Sequence, residues 1–263
     1  MPYRASPFFR SIADRAAAEG MNLCGAVGAP VFDASQPCGR RAKERRADVG
    51  TILLLGSGGR DAFETVTRRN GGRLQPAAPD YHPIDTWSAE VAEEIRTVLA
   101  QRGYPSSIAR PDDKDAMNFR QLAEMCGLGS VSPVIGHFLH PVFGPWVSLR
   151  IALLVRGEPF GALPREVVDF DPCAECARPC VDACPVRVYD GSGATDLCAC
   201  ANHRLASGCA DGCAVLHACP VGREHRYTAE EEAFRGAYSM FAIRRWLGVG
   251  AWKLVPERLR RSL

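Results

Sequence analysis

The sequence lacks a strong net charge and a long apolar run. Its 32 Lys and Arg residues nearly balance its 30 Asp and Glu residues, so the formal net charge is only +2. A charge this small attracts neither nucleic acid nor an anionic membrane strongly. The N-terminal segment is interrupted by Arg4 and Arg10, which excludes a signal peptide, and the uncharged stretch 125–149 contains repeated glycine and proline, which disfavours a membrane helix. We therefore expect a cytoplasmic protein whose partners are neither nucleic acid nor a membrane.

Cysteine is abundant instead, with 12 residues, nine of which lie between Cys173 and Cys219. Clustered thiols in a reducing cytosol act as metal ligands more often than as disulfides. The first run, Cys173-x2-Cys176-x3-Cys180-x3-Cys184-Pro185, has ferredoxin-type spacing with one extra residue before its third cysteine. The second run consists of Cys198, Cys200, Cys209, Cys213 and Cys219, and it ends in the same Cys-Pro-Val sequence as the first. The two Cys-Pro endings favour iron–sulfur clusters over zinc.

Two-cluster ferredoxins send the cysteine that precedes the proline to the other cluster. This crossed pattern predicts two ligand sets for two 4Fe–4S clusters. The first set is Cys173, Cys176, Cys180 and Cys219, and the second set is Cys184, Cys200, Cys209 and Cys213. Cys198 stays an alternative to Cys200. A four-thiolate zinc site and a single cluster also stay open, because the spacing of both runs is irregular.

Helix and strand patterns alternate through the first 160 residues. The patterns predict helices at 7–18, 85–103 and 114–125, and strands at 22–27, 51–55 and 147–155. Such alternation predicts an α/β layer architecture. We divide the chain into an α/β domain over 1–165, a small ferredoxin-like dicluster module over 166–227 and a helical C-terminal tail over 228–263.

The residues just before the cysteines carry a family resemblance. The motif Arg120-x6-Gly127-Leu128-Gly129, followed by the run from His140 to Val147 and a strand that leads into the first cysteine run, resembles epoxyqueuosine reductases and, more distantly, reductive dehalogenases. The resemblance implies a cobalamin-binding domain of nitroreductase-like fold, joined to a dicluster ferredoxin module that delivers electrons to the corrin cobalt. It places the cofactor contacts at Gly127, Gly129, His140, Phe143, Gly144 and Trp146.

The sequence also departs from this family. Residues 130–137 contain no lysine where the family has a Gly-Lys step, and they include one extra residue. The residues beyond Arg226 leave no room for the repeat domain implicated in holding tRNA, so the resemblance does not extend to a tRNA substrate.

Asp113 lies at the distance before Gly127 where the family places its acidic proton donor. The alternative is a helix cap, because three aspartates crowd one predicted helix start. Likewise, His137 and His140 either approach a cofactor or are satisfied core or surface histidines. The sequence thus predicts an iron–sulfur oxidoreductase that passes electrons from a soluble donor to a cofactor or small-molecule substrate in the α/β domain. The alternative is a non-enzymatic ferredoxin-like carrier without corrin.

Overall fold

The computed structural model describes residues 6–75, 81–113, 116–206, 208–209 and 212–247. The helices are α1 (Pro7–Ala18), α2 (Ala29–Asp33), α3 (Ala42–Arg45), α4 (Asp61–Arg69), α5 (Pro83–Gln101), α6 (Phe119–Met125), α7 (Pro179–Asp182), α8 (Leu197–Leu205), α9 (Ala214–Ala218) and α10 (Ala229–Leu247). The strands are β1 (Leu23–Gly28), β2 (Val49–Gly58), β3 (Ser106–Ala109), β4 (Ser130–Val131), β5 (Phe138–Leu139) and β6 (Val147–Arg156). A short 3₁₀ helix covers Arg223–His225.

Four strands form one sheet in the order β1-β2-β6-β3, and all three pairings are antiparallel. The apolar run Ile52–Leu55 of β2 is completely buried, as a strand covered on both faces requires. Strands β4 and β5 form a separate two-stranded ribbon. The predicted mixture of helices and sheet is confirmed. The alternation of helices and strands in the sequence is typical of parallel sheets, but the strands of this sheet are antiparallel.

Helices cover both faces of this sheet. Successive strand residues point to opposite sides, so each strand contributes side chains to both layers. Leu53 and Leu55 point to the face covered by α1, α4 and α5, where Trp87 is a large buried side chain. Ile52 and Leu54 point to the other face, against α2, α3 and α6. The sheet is therefore the shared core of the part that precedes the cysteines.

Helix α6 starts later than its sequence pattern predicts. Asn118 is its N-cap, and the Asn118 side chain accepts a hydrogen bond from the backbone N–H of Gln121. Residues 116–118 are not helical, and residues 114 and 115 lie outside the described part of the chain. The alternative that Asp113 caps this helix is therefore wrong, because the side chain of Asn118 caps the N-terminus instead.

The C-terminal helix α10 packs against the face of the sheet that carries α4 and α5. The ring of Phe234 lies 5.8 Å from the ring of Phe63, and the ring of Tyr238 lies 5.1 Å from that of His82. Residues 248–263 of the predicted tail lie outside the described residues. Among the helices that are described, none combines the length and the apolar character needed to cross a bilayer.

Candidate metal centre

All 12 cysteines of the chain are thiols rather than disulfides. The short helices α7, α8 and α9 carry or flank most of the nine that lie in the segment 173–219, which we call the cysteine segment. Its buried side chains pack with Val134 and Ile135, which follow β4. The cysteine segment thus packs against the loop that joins β4 to β5.

The four thiols of the first set line one small cavity. Its walls are formed by these cysteines together with Ser132, Val134, Ile135 and Leu139 of the ribbon and with Pro172, Arg178, Pro220 and Val221. Burial raises the pKa of the Cys180 thiol, and the nearby thiols of Cys219, Cys173 and Cys176 raise it further. Cys219 belongs to the second run of the sequence, so the fold itself brings the two runs together at this point.

The extra residue of the first run is accommodated by a left-handed backbone at Arg178, whose φ is 57°. Helix α7 starts at the next residue, Pro179, which fits the preference of proline for the first helical turn. The turn points the backbone N–H of Arg178 at the sulfur of Cys176, at a donor–acceptor distance of 3.4 Å. A backbone amide aimed at a sulfur stabilises negative charge on that sulfur. The insertion therefore forms a loop, and it leaves the first set intact.

The thiols of the second set lie close enough to influence one another electrostatically. Burial raises the pKa of Cys200, and the thiols of Cys213, Cys209 and Cys184 raise it further, against the opposing effect of Arg204. Burial raises the pKa of Cys213 as well, with smaller contributions from Cys209 and Cys184. These four cysteines are the ones that the crossed pattern assigned to the second set.

Cys198 and Cys200 both lie on α8, whose first turn is capped by the carboxylate of Asp196. Residues two positions apart on an α-helix point to different sides, so the two thiols do not face the same group. The thiol of Cys200 interacts with those of Cys213, Cys209 and Cys184.

Among the described residues, no group of three or more His, Cys, Asp or Glu side chains is arranged to hold one metal ion. Four thiolates around one zinc ion, with Zn–S bonds of about 2.3 Å, must lie roughly 4 Å from one another. The four ligands of a 4Fe–4S cube bind four different irons and therefore lie farther apart.

His137 joins the ribbon to the cysteine segment. Its Nε2 atom lies 3.0 Å from the hydroxyl oxygen of Tyr189. Burial, assisted by the charge of Arg120, lowers the pKa of His137 to about 4. His137 is thus a neutral, partly buried histidine with a partner, which agrees with the alternative that it is a satisfied histidine.

The predicted cofactor run from His140 to Trp146 begins with a tight turn. The Nδ1 atom of His140 accepts hydrogen bonds from the backbone N–H groups of Val142 and Phe143, at 3.1 and 3.2 Å. The backbones of His140 and Gly144 pair with each other across the turn. His140 therefore holds the turn that presents Phe143, and the Phe143 ring packs against Gly58.

The predicted contact glycines serve internal packing. A Cβ at Gly144 would collide with the carbonyl oxygen of Val221, and a Cβ at Gly129 would collide with that of Leu139. Gly127 adopts a φ of 68° where α6 ends. The family resemblance predicts cofactor contacts at these positions. In the structure, however, backbone from the same chain fills the space beside Gly129 and Gly144.

Trp146 is 1% exposed, and its ring lies 5.2 Å from the rings of both His217 and Tyr227. The carboxylate of Asp113 lies 2.6 Å from the guanidinium of Arg45 and accepts a hydrogen bond from the backbone N–H of Arg110. Asp113 is therefore paired, and its two partners here lie outside the segment from Gly127 to Trp146.

Sequence reasoning missed a buried polar layer between α10 and the sheet. Arg150 is the extra residue of a bulge in β6, opposite Leu55 and Gly56, and it is 3.0 Å from Asp85. Burial lowers the pKa of Arg150 to about 10. Glu231 of α10 is 0% exposed and lies 2.7 Å from Arg235, which stacks on the ring of Tyr227. The only signal for this layer was the charge of Arg150 within an otherwise apolar strand pattern.

Comparison with known proteins gives similarity in structure but not in sequence. No family model matches the chain, and no curated protein matches it in sequence. An epoxyqueuosine reductase from Bacillus subtilis superposes with a TM-score of 0.59 at 15% identity, over 86% of this chain and 68% of that one. The enzyme from Streptococcus thermophilus gives 0.58 at 16% identity, over 95% and 82%.

A reductive dehalogenase whose structure suggests a mechanism for B12-dependent dehalogenation gives a TM-score of 0.53 at 18% identity. This match covers 91% of the chain described here but only 36% of the dehalogenase. At these identities the likeness shows the fold, and the fold is that of epoxyqueuosine reductases and reductive dehalogenases.

Proposed function

We propose that this chain, which has the fold shared by epoxyqueuosine reductases and reductive dehalogenases, is an iron–sulfur oxidoreductase with two 4Fe–4S clusters. The first and second sets of cysteines would each hold one cluster. One observation carries the proposal: Cys219 of the second run lines one small cavity with Cys173, Cys176 and Cys180 of the first run, as the crossed pattern of two-cluster ferredoxins requires. The donor set is chemically suited to this group, because thiolates are the usual ligands of such clusters.

The position of the first set indicates the direction of electron transfer. Val221 lies two residues after Cys219, and its carbonyl oxygen packs against Gly144 in the turn that His140 holds. The first set also shares its cavity with the β4–β5 ribbon. The first set therefore lies next to the α/β part of the chain, and we place the entry of electrons from a soluble donor at the second set. The clusters supply one-electron transfer.

Four thiolates in each set would occupy every iron of a cube, so a small-molecule acceptor has to bind elsewhere. The α/β part, beside the first set, is where we place it. Within this arrangement the protein residues hold the clusters in series, exclude water from the buried thiols and fix the turn from His140 to Gly144.

Cobalamin is the acceptor that the family resemblance implies, and the described residues test that idea. Backbone fills the space beside Gly129 and Gly144, and Trp146 is enclosed by protein rings. Contact with a corrin through the Cβ side of these two glycines is thus blocked, contact at His140 and Phe143 stays a proposal, and we derive no step through a corrin.

Anaerobic titration with cobalamin decides the question. If corrin is retained after gel filtration, we propose Asp113 as the proton donor to the reduced substrate. Asp113→Asn should then slow turnover without weakening cobalamin binding. Loss of all corrin on the column would leave Asp113 as the partner of Arg45 and would require another acceptor.

The cluster proposal is tested by metal and sulfide analysis of anaerobically reconstituted protein. We expect about eight irons and eight acid-labile sulfides per chain, with the broad visible absorbance of iron–sulfur protein. Stoichiometric zinc, with no sulfide and no colour, would contradict the proposal and favour a zinc-stabilised module.

A further inference from the structure

We propose that Ser132 donates a hydrogen bond to the sulfur of Cys173 and thereby raises the reduction potential of the cluster held by the first set. The inference rests on the proposed function, because it concerns a ligand of that cluster. It names a residue in the part of the sequence that departs from the family, between Gly129 and His137.

Ser132 lies directly after β4, where the ribbon meets the cysteine segment, and it is 2% exposed. Its Oγ atom is 3.3 Å from the Sγ atom of Cys173. The backbone of Ser132 is fixed on both sides, since its N–H donates to the carbonyl oxygen of His137 and its carbonyl oxygen accepts from Gly136. The hydroxyl is therefore held against the sulfur by the ribbon.

The other hydrogen bonds of the hydroxyl determine which atom is the donor. The Oγ atom of Ser132 accepts from the backbone N–H of Val134 at 3.2 Å and from that of Ile135 at 3.3 Å. A hydroxyl has two acceptor lone pairs and one proton. Both lone pairs are engaged, so the hydroxyl proton is left for the third neighbour, the sulfur of Cys173. Cys173 must accept this hydrogen bond, as a thiolate ligand would.

The direction of the effect follows from charge. A hydrogen bond to an ionised acceptor is stronger than a neutral one, and the reduced cluster with its thiolates carries one more negative charge than the oxidised cluster. The Ser132 hydroxyl therefore stabilises the reduced state more than the oxidised state. Hydrogen bonds to the sulfurs are among the factors that set the potential of iron–sulfur clusters.

The test is a redox titration of the reconstituted, full-length protein, followed by electron paramagnetic resonance. In Ser132→Ala we expect the ratio of reduced to oxidised first cluster at a fixed potential to fall about tenfold, which is 59 mV for a one-electron couple. Ser132→Thr, which keeps a hydroxyl, should restore most of the wild-type value. The potential of the second cluster should stay unchanged in both variants.

Ser130→Ala is the matched control, because Ser130 lies two positions away on the same ribbon and is only partly buried. An unchanged first-cluster potential in fully loaded Ser132→Ala would overturn the inference, as would an equal shift in Ser130→Ala. If Ser132→Ala does not assemble the first cluster, Ser132→Cys replaces it. A thiol is a weaker donor, so a partial fall is expected, and an unchanged potential overturns the inference. Wild-type protein without iron would instead refute the proposed function itself.

Discussion

The buried Glu231 carboxyl makes the stability of the chain depend on pH in an unusual direction. Burial raises the pKa of Glu231 to about 7 from its ordinary value of 4.5, although the ion pair with Arg235 opposes the shift. The folded state therefore binds a proton that the unfolded chain has already released between these two values. Stability contributed by this group falls as pH rises through that window, which is opposite to the usual behaviour of a salt-bridged carboxylate.

The size of the effect follows from the shift. Each unit of difference in pKa between folded and unfolded states corresponds to about 1.4 kcal/mol. Between pH 5 and pH 8, Glu231 should reduce the free energy of unfolding by about 2 to 3 kcal/mol. Glu231→Gln has nearly the same shape but cannot titrate. The difference in free energy of unfolding between Glu231→Gln and wild type should therefore increase by about 2 to 3 kcal/mol from pH 5 to pH 8. The lost ion pair adds a constant offset to this difference.

The assay is urea unfolding of wild type and Glu231→Gln at several pH values from 5 to 8, under anaerobic conditions and monitored by circular dichroism. Other titrating groups act equally on both proteins and cancel in the difference. Glu230→Gln is the control, because Glu230 precedes Glu231 on α10 but is exposed. A difference between Glu231→Gln and wild type that stays constant across this range, or that changes in the opposite direction, would refute the reasoning.

Two further predictions concern single residues. Cys200→Ser should lose the iron of the second set, whereas Cys198→Ser should retain full iron, since the two thiols point to different sides of α8; equal iron loss in both would reject this ligand assignment. Gly144→Ala should lower the melting temperature more than Gly103→Ala, because both glycines have positive φ but only the Cβ at Gly144 would collide with backbone, at Val221. The comparison separates the cost of the left-handed conformation, roughly 1 to 2 kcal/mol, from that of the collision. Equal destabilisation would mean that the backbone at Val221 moves aside without cost.

Local signals in the sequence predicted several elements well. Helix α1 has its predicted bounds, because Pro7 fits the first helical turn and Gly20, with a φ of 90°, reverses the chain after it. The apolar runs of β2 and β6 were strong enough to identify both strands. By contrast, the start of α6 depended on which of several side chains caps it, and the structure uses Asn118 rather than the aspartates before it.

The long-range features were harder to predict. Glycine at positions 129 and 144 signalled a close approach, but the sequence did not say that the approaching group would be this chain's own backbone. Glu231 and Arg235 have the spacing of an ordinary solvated ion pair on a helix, and only the packing of α10 on the sheet makes them buried. The division of the thiols into two ligand sets rests on the Cys-Pro endings of the sequence, and it stays a prediction.

The crossed ligand pattern is the central claim, and Cys184 tests it most directly. If the clusters followed the order of the sequence, Cys184 would complete the set that contains Cys173. The measurement is the iron content and electron paramagnetic resonance spectrum of Cys184→Ala, compared with Cys173→Ala and Cys213→Ala. We predict that Cys184→Ala loses the same cluster signal as Cys213→Ala and keeps the signal that Cys173→Ala loses. Loss of the Cys173 signal in Cys184→Ala would contradict the account.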